Sequence, residues 1–163
     1  MKRCCVFIIL LVLLFSSTSI ALTLNIQNKT RDIFDLSINN VIYIDDNNIQ
    51  GPWDGSYEHP YQYIYEGILH AIDGDTIFLF NGFYEETVIV NKSINLQGQQ
   101  QNTTIIDGQN NGSVITITSD NVCIKELTIQ NSAGYQDNAG ISVVANTITI
   151  TKCTIYCTRI GIS

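Results

Sequence analysis

The sequence predicts an all-β chain wound as a parallel β-helix, closed at its N-terminal end by one capping α-helix. Three observations carry this. Between Asp73 and Asn131, short runs (Thr76–Phe80, Thr87–Val90, Ser93–Leu96, Thr103–Ile106 and Val114–Thr118) are dense in Ile, Val, Thr, Leu or Phe, and Gly, Asn and Asp separate them. Such a ladder turns a corner every few residues, as the coils of a solenoid do. Next, Ile124–Asn131 aligns with Ile150–Cys157 at an offset of 26, and Ala139–Ser142 with Ile160–Ser163 at an offset of 21. Last, a single amphipathic segment precedes the ladder.

In order along the chain, residues 1–21 have the layout of a secretory signal. Lys2 and Arg3 supply the charge, Val6–Phe15 the apolar core, and Ser19-Ile20-Ala21 a small-x-small site for cleavage after Ala21. The apolar run is too short to cross about 30 Å of hydrocarbon comfortably, and no later segment is apolar enough to span a membrane. The expected location is secreted or cell-surface. Residues 22–40 read as a loosely ordered leader, and residues 41–75 as a strand (Val41–Ile44), an Asp/Asn turn, a Gly-Pro-Trp-Asp-Gly loop and the capping helix. The helix is expected to open at His59-Pro60, since Pro suits the first helical position. Tyr61, Ile64, Ile68 and Ile72 would form its apolar stripe, widened by Leu69, and Asp73-Gly74-Asp75 would stop it. Such a helix would cover the apolar interior and strand edge of the first coil.

Residues 76–163 form the coils. In the register of 26, Leu127 and Cys153 point inward and Asn131 sits at a corner, positioned to bond the turn backbone. Ser163 falls within a strand that has just begun, so further coils, or another subunit, are expected against this end.

Composition narrows the partners. The chain of 163 residues is 45% hydrophobic but only 14% charged, with a net charge of −7. Without Lys2 and Arg3, six basic residues face fifteen acidic ones, a net of −9. No basic patch is available to neutralise phosphates, which argues against nucleic acid. A polysaccharide or surface glycoprotein fits better. Cys123, Cys153 and Cys157 form neither a metal pattern nor a disulfide framework, and one pairing among them stays open.

Asp45, Asp46 and Asp54 offer hard oxygens of the kind Ca²⁺ takes in sixes to eights, without the order of an EF-hand loop; a solvated turn is the other reading. No other cofactor is indicated. Trp53 and Tyr57 are candidate glycan-stacking rings, against a structural role in pinning the loop. Asn28, Asn91, Asn102 and Asn111 begin glycosylation sequons. Glu85 and Glu86, taken as strand neighbours, should face opposite ways and fail as a glycosidase pair. No residue stands out as catalytic.

The strand IYIDDNN, the block HPYQYIYEGILHAIDGDTIFLFNGFYEE and the pair SINLQG…TTIIDG together resemble the N-terminal half of right-handed parallel β-helix proteins of the pectin-lyase-like superfamily. They look most like secreted surface proteins with the repeat type also found in the NosD family. Gly82-Phe83-Tyr84-Glu85-Glu86 and Ile129–Gly134 are similar to two motifs of pectin methylesterases. That resemblance implies a glutamine motif where Gly140-Ile141-Ser142-Val143 stands, and aspartates further on that Arg159-Ile160-Gly161 does not show. The expected function is a non-catalytic, secreted β-helix scaffold for adhesion or for glycan or protein recognition. The alternative is a polysaccharide lyase or esterase whose site lies in coils beyond residue 163.

Overall fold

The structure is a computed structural model that describes residues 40–134 and 138–156. The signal, the cleavage after Ala21, the leader up to residue 39 with Asn28, Cys157 and the repeat at Ile160–Ser163 lie outside the described residues. All the described residues belong to one compact unit within Asn39–Ser163.

Among them the chain forms β1 (Val41–Ile44), α1 (Ile64–His70), β2 (Thr76–Leu79), β3 (Gly82–Tyr84), β4 (Val88–Val90), β5 (Asn95–Gly98) and β6 (Thr104–Asp107). There follow β7 (Ile115–Ile117), β8 (Cys123–Lys125), β9 (Thr128–Gln130), β10 (Ile141–Val143), β11 (Thr149–Thr151) and β12 (Thr154–Tyr156). Every ladder is parallel. Sheet A runs β1-β2-β5-β8-β11, sheet B β3-β6-β9-β12 and sheet C β4-β7-β10. One coil is thus a strand from each of A, B and C in turn, and the next coil stacks on it about 4.8 Å away.

The core is built by like residues in register. Ile42, Ile77, Leu96, Ile124 and Ile150 line up down sheet A. Tyr84, Ile106, Ile129 and Ile155 do so down sheet B, and Val88, Ile115 and Ile141 down sheet C. Most of these are buried, the aliphatic ones each contributing roughly 1.5–3 kcal/mol as a side chain taken from water. The register of 26 is the observed one, with Ile124 against Ile150 and Ile129 against Ile155. Leu127 is fully buried and Cys153 packs on the core, where burial raises its thiol's pKa and keeps it protonated. Both Cys123 and Cys153 are free thiols.

The capping helix is shorter than expected. It starts at Ile64, and Pro60 is not in it. Tyr61 instead joins the sheet: its N–H donates to the Tyr43 carbonyl (2.9 Å) and its carbonyl accepts from Asp45 N–H (2.8 Å). Those bonds require extended backbone, so long-range pairing overrides the local helical pattern. Gly55 also accepts from Tyr43 N–H. The free edge of β1 is therefore covered by the loop before the helix, and the helix itself covers the interior. Ile64 and Ile68 are buried there, but Leu69 and Ile72 are 68% and 57% exposed, outside the stripe assigned to them. Gly67 lets the helix approach closely, since a Cβ there would sit 2.6 Å from Ile44 Cδ1.

Candidate functional site

The segment Gly82–Glu86 and the Asp45–Asp46 turn meet beside the start of α1. Asp46, Gln62, Tyr63, Phe83, Tyr84, Glu85 and Glu86 line an open depression of about 290 Å³ there. Glu85 and Glu86 follow β3 in a turn, not within a strand, so both reach this depression and the expected strand alternation does not apply. Its polar groups are largely engaged. Asp46 Oδ2 accepts from Phe83 N–H (2.9 Å), and its carboxylate packs where a Cβ on Gly82 would stand. The buried Tyr84 hydroxyl lies 3.1 Å from the Ile44 carbonyl and 2.9 Å from the Phe80 carbonyl, and donates into them. Burial, with the charges of Asp46 and Asp45, drives its pKa well up, so it stays a donor at any physiological pH.

Glu86 reaches back to the helix. Its carboxylate accepts from Ile64 N–H (2.8 Å) and Tyr65 N–H (3.3 Å), two of the four amides a helix start leaves unpaired. Burial raises its pKa, the two amides pull it down, and the net displacement is upward. At the other end of α1, Lys92 Nζ donates to the Leu69 (2.9 Å) and Ala71 (2.6 Å) carbonyls. Residues flanking β4 thus bind both helix ends, with signs that suit the helix dipole. Gly82, Tyr84 and Glu86 form a clasp joining β1, the first coil and the cap.

The calcium candidates each accept hydrogen bonds from nearby residues. Asp45 accepts from Asn47 N–H (3.0 Å), Asp46 is held as above, and Asp54 accepts from Ser56 N–H (2.9 Å) and faces His59 at 3.5 Å. Hydrogen bonds from Ser56 lower the Asp54 pKa. Among the described residues no three His, Cys, Asp or Glu side chains group as metal ligands. Asn91, Asn102 and Asn111 are exposed between strands.

The two candidate stacking rings have different settings. Trp53 folds over Gly51 and its indole N–H donates to the Asn48 carbonyl (2.7 Å), so it pins the loop while staying 47% exposed. Tyr57, 62% exposed, lies on the outer face of sheet A. It is edge-on to Tyr43 (5.3 Å) and Phe80 (5.5 Å), and Phe78 packs against both Tyr43 (5.7 Å) and Phe80 (5.6 Å). Phe78 and Phe80 escaped notice in the sequence because they alternate with core residues of β2 and read as core themselves.

Asp107 is a corner residue. It is 5% exposed and accepts from Gln109 N–H (2.8 Å), Gln130 Nε2 (2.8 Å) and Asn131 Nδ2 (2.7 Å). Asn131 is at a corner as expected, in the left-handed region at φ +57, and it bonds this carboxylate. Burial pushes the Asp107 pKa up, but the three donors outweigh it and hold the group below its ordinary value. Its stabilisation is then present above the ordinary 3.8 and is lost as pH falls through the lower folded value. Asp107→Asn, which cannot titrate, is expected to flatten the acid limb of the stability–pH curve; an unchanged limb in urea titrations would rule this out.

No protein-family model and no curated protein sequence matches the chain. Solved structures do. Pectin methylesterase from carrot superposes with a TM-score of 0.56 at 17% identity, covering 71% of this chain and 41% of that one. A pectin methylesterase in complex with a hexasaccharide gives 0.55 at 17% identity, and the enzyme PemA from Erwinia chrysanthemi 0.54 at 16%; each covers 71% of this chain and 45% of the other. The chain spans less than half the length of these solved structures. At such identities the likeness is one of fold: the chain has a right-handed parallel β-helix, the fold of these enzymes.

Proposed function

We propose that this chain belongs to a secreted, polysaccharide-directed β-helix protein of the carbohydrate-esterase kind. The observation that carries the reading is the shared course with three pectin methylesterases over 71% of the chain. The described coils supply the scaffold. Where the resemblance implies a glutamine motif, β10 presents Ile141, Ser142 and Val143, so the reacting groups belong to other coils.

The test is release of methanol from highly esterified pectin, and of acetate from acetylated pectin, by the full natural protein. Turnover is the expected result. Binding without turnover of any ester or glycosidic bond would reject the esterase reading and return the chain to a non-catalytic scaffold for glycan recognition.

A further inference from the structure

Three asparagines of the coils have no task in the fold. Asparagine at a solenoid corner ordinarily does one of two things: it takes left-handed backbone, or its side chain bonds the turn. Asn110 and Asn121 do the first, at φ +59 and +57. Asn81 does the second, its side-chain oxygen accepting from the Thr103 hydroxyl (2.7 Å), and Asn131 does both. Asn91, Asn102 and Asn111 do neither. Their backbone is not left-handed, and all three are exposed. None of their side chains makes a hydrogen bond among the described residues.

Each of the three begins an Asn-x-Ser/Thr triplet: Asn91-Lys92-Ser93, Asn102-Thr103-Thr104 and Asn111-Gly112-Ser113. The fold accounts for the third residue of each triplet and not for the first. Ser93 Oγ donates to the Asp120 carbonyl (2.7 Å), Thr104 is fully buried, and Ser113 Oγ accepts from Ala139 N–H (3.1 Å). The placement is equally regular. Asn91 lies between β4 and β5, where the chain passes from sheet C to sheet A. Asn102 lies between β5 and β6, on the edge from A to B, and Asn111 between β6 and β7, on the edge from B to C. The three therefore occupy the three edges of one turn of the solenoid. A strand of three or four residues separates each from the next, about 10 Å or more.

We infer that Asn91, Asn102 and Asn111 are N-glycosylation sites, which set a ring of glycans on the three edges of one coil. In the reaction the side-chain amide nitrogen attacks C1 of an oligosaccharide carried on a lipid phosphate or pyrophosphate. The C1–O bond to the carrier breaks, a C1–N bond forms, and the amide proton leaves with the lipid phosphate. In the finished coil the hydroxyls of the triplets are bonded or buried, so transfer comes before the corners close, on the chain as it is exported. The glycans then sit where the fold has room for them, because each modified amide bonds nothing else and lies at the surface. The sheet faces between the edges stay bare. The inference rests on the secreted part of the reading above and on none of its ester chemistry.

The experiment is peptide mass spectrometry of the natural protein recovered from outside its cells. A sugar mass is expected on each of the three asparagines, and any one of them found bare throughout overturns the ring. A second arm keeps the sites apart from the export signal. There the full chain, with residues 1–21 replaced by an unrelated signal, passes through a glycosylating secretory host. Asn91→Gln, Asn102→Gln and Asn111→Gln keep an amide and destroy the triplet, so each is expected to remove the mass of one glycan; a parent without the three overturns the proposal. Glycans in this arm on a protein that its own cells retain would uphold the sites and sink secretion. Made without glycans, the same variants are expected to melt within about 2 °C of the parent. A larger loss would give that asparagine a task in the fold and overturn the argument. Methanol release is read separately: glycans without turnover spare the ring and sink the esterase reading, and turnover by a bare protein does the reverse.

Discussion

Gly98→Ala is expected to cost about 3 kcal/mol or more and to lower the melting temperature by on the order of 10 °C. Gly98 ends β5 with an ordinary φ, so backbone freedom is not the reason for glycine here. The reason is the coil above. That coil passes from β8 to β9 through only Glu126 and Leu127, with Glu126 at φ +59. So tight a corner drives the Glu126 carbonyl down onto the coil below. An alanine Cβ at position 98 would land on that carbonyl oxygen, with Leu127 Cδ2 at 2.8 Å and Thr104 Cβ at 3.0 Å. Backbone and two packed side chains cannot all give way. Gly82→Ala is the contrast: the nearest atoms to its Cβ are the end of the Asp46 side chain, which can swing aside and forfeit its hydrogen bonds from Phe83 N–H and from the exposed Asn47 amide, about 1–2 kcal/mol in all. Thermal unfolding of the two variants decides it. Equal small shifts would mean that the coil spacing relaxes and that the tight corner is not what dictates glycine.

How much of this was legible in the sequence depended on distance along the chain. The aliphatic ladders were, because a strand reports its inward residues through alternation, and Ile124/Ile150 and Ile129/Ile155 repeat at one offset. The start of α1 was not. From Pro60 to Ile72 the local pattern is helical, yet Tyr61 is taken by Tyr43 and Asp45, a pairing that no local window contains. The same holds for the acidic residues. Asp46 meets Phe83, 37 positions away, and Glu86 meets Ile64, 22 away. In the sequence these carboxylates offered metal or acid–base chemistry; in the fold they accept backbone N–H groups. Tyr57 was visible as a candidate ring, but its companions were not. Phe78 and Phe80 gain meaning only when β2 lies beside β1.

The clasp on α1 makes the second large prediction, because a helix of seven residues is marginal by itself in water. Glu86→Ala leaves the Ile64 and Tyr65 amides without an acceptor and is expected to cost about 2 kcal/mol. Lys92→Met frees the Leu69 and Ala71 carbonyls at the other end, for about 1 kcal/mol. The double variant should lose less than both together, because a helix detached at one end has already surrendered part of what the other end holds. Glu86→Gln separates hydrogen bonding from charge. Since burial raises the folded pKa of Glu86 above its ordinary 4.5, the stability tied to its protonated form is complete below that value. It declines as pH rises through the folded one. Glutamine cannot titrate, so the stability gap between parent and Glu86→Gln should be widest near about pH 4 and shrink toward about pH 8. Asp107 and Glu126, whose pKa values are lowered, titrate in the opposite sense and are common to both proteins, so they cancel in the difference. Urea titrations at the two pH values measure it. A gap that widens with pH would mean that the amides of α1 outweigh burial, and that the ionised carboxylate is the form the clasp prefers.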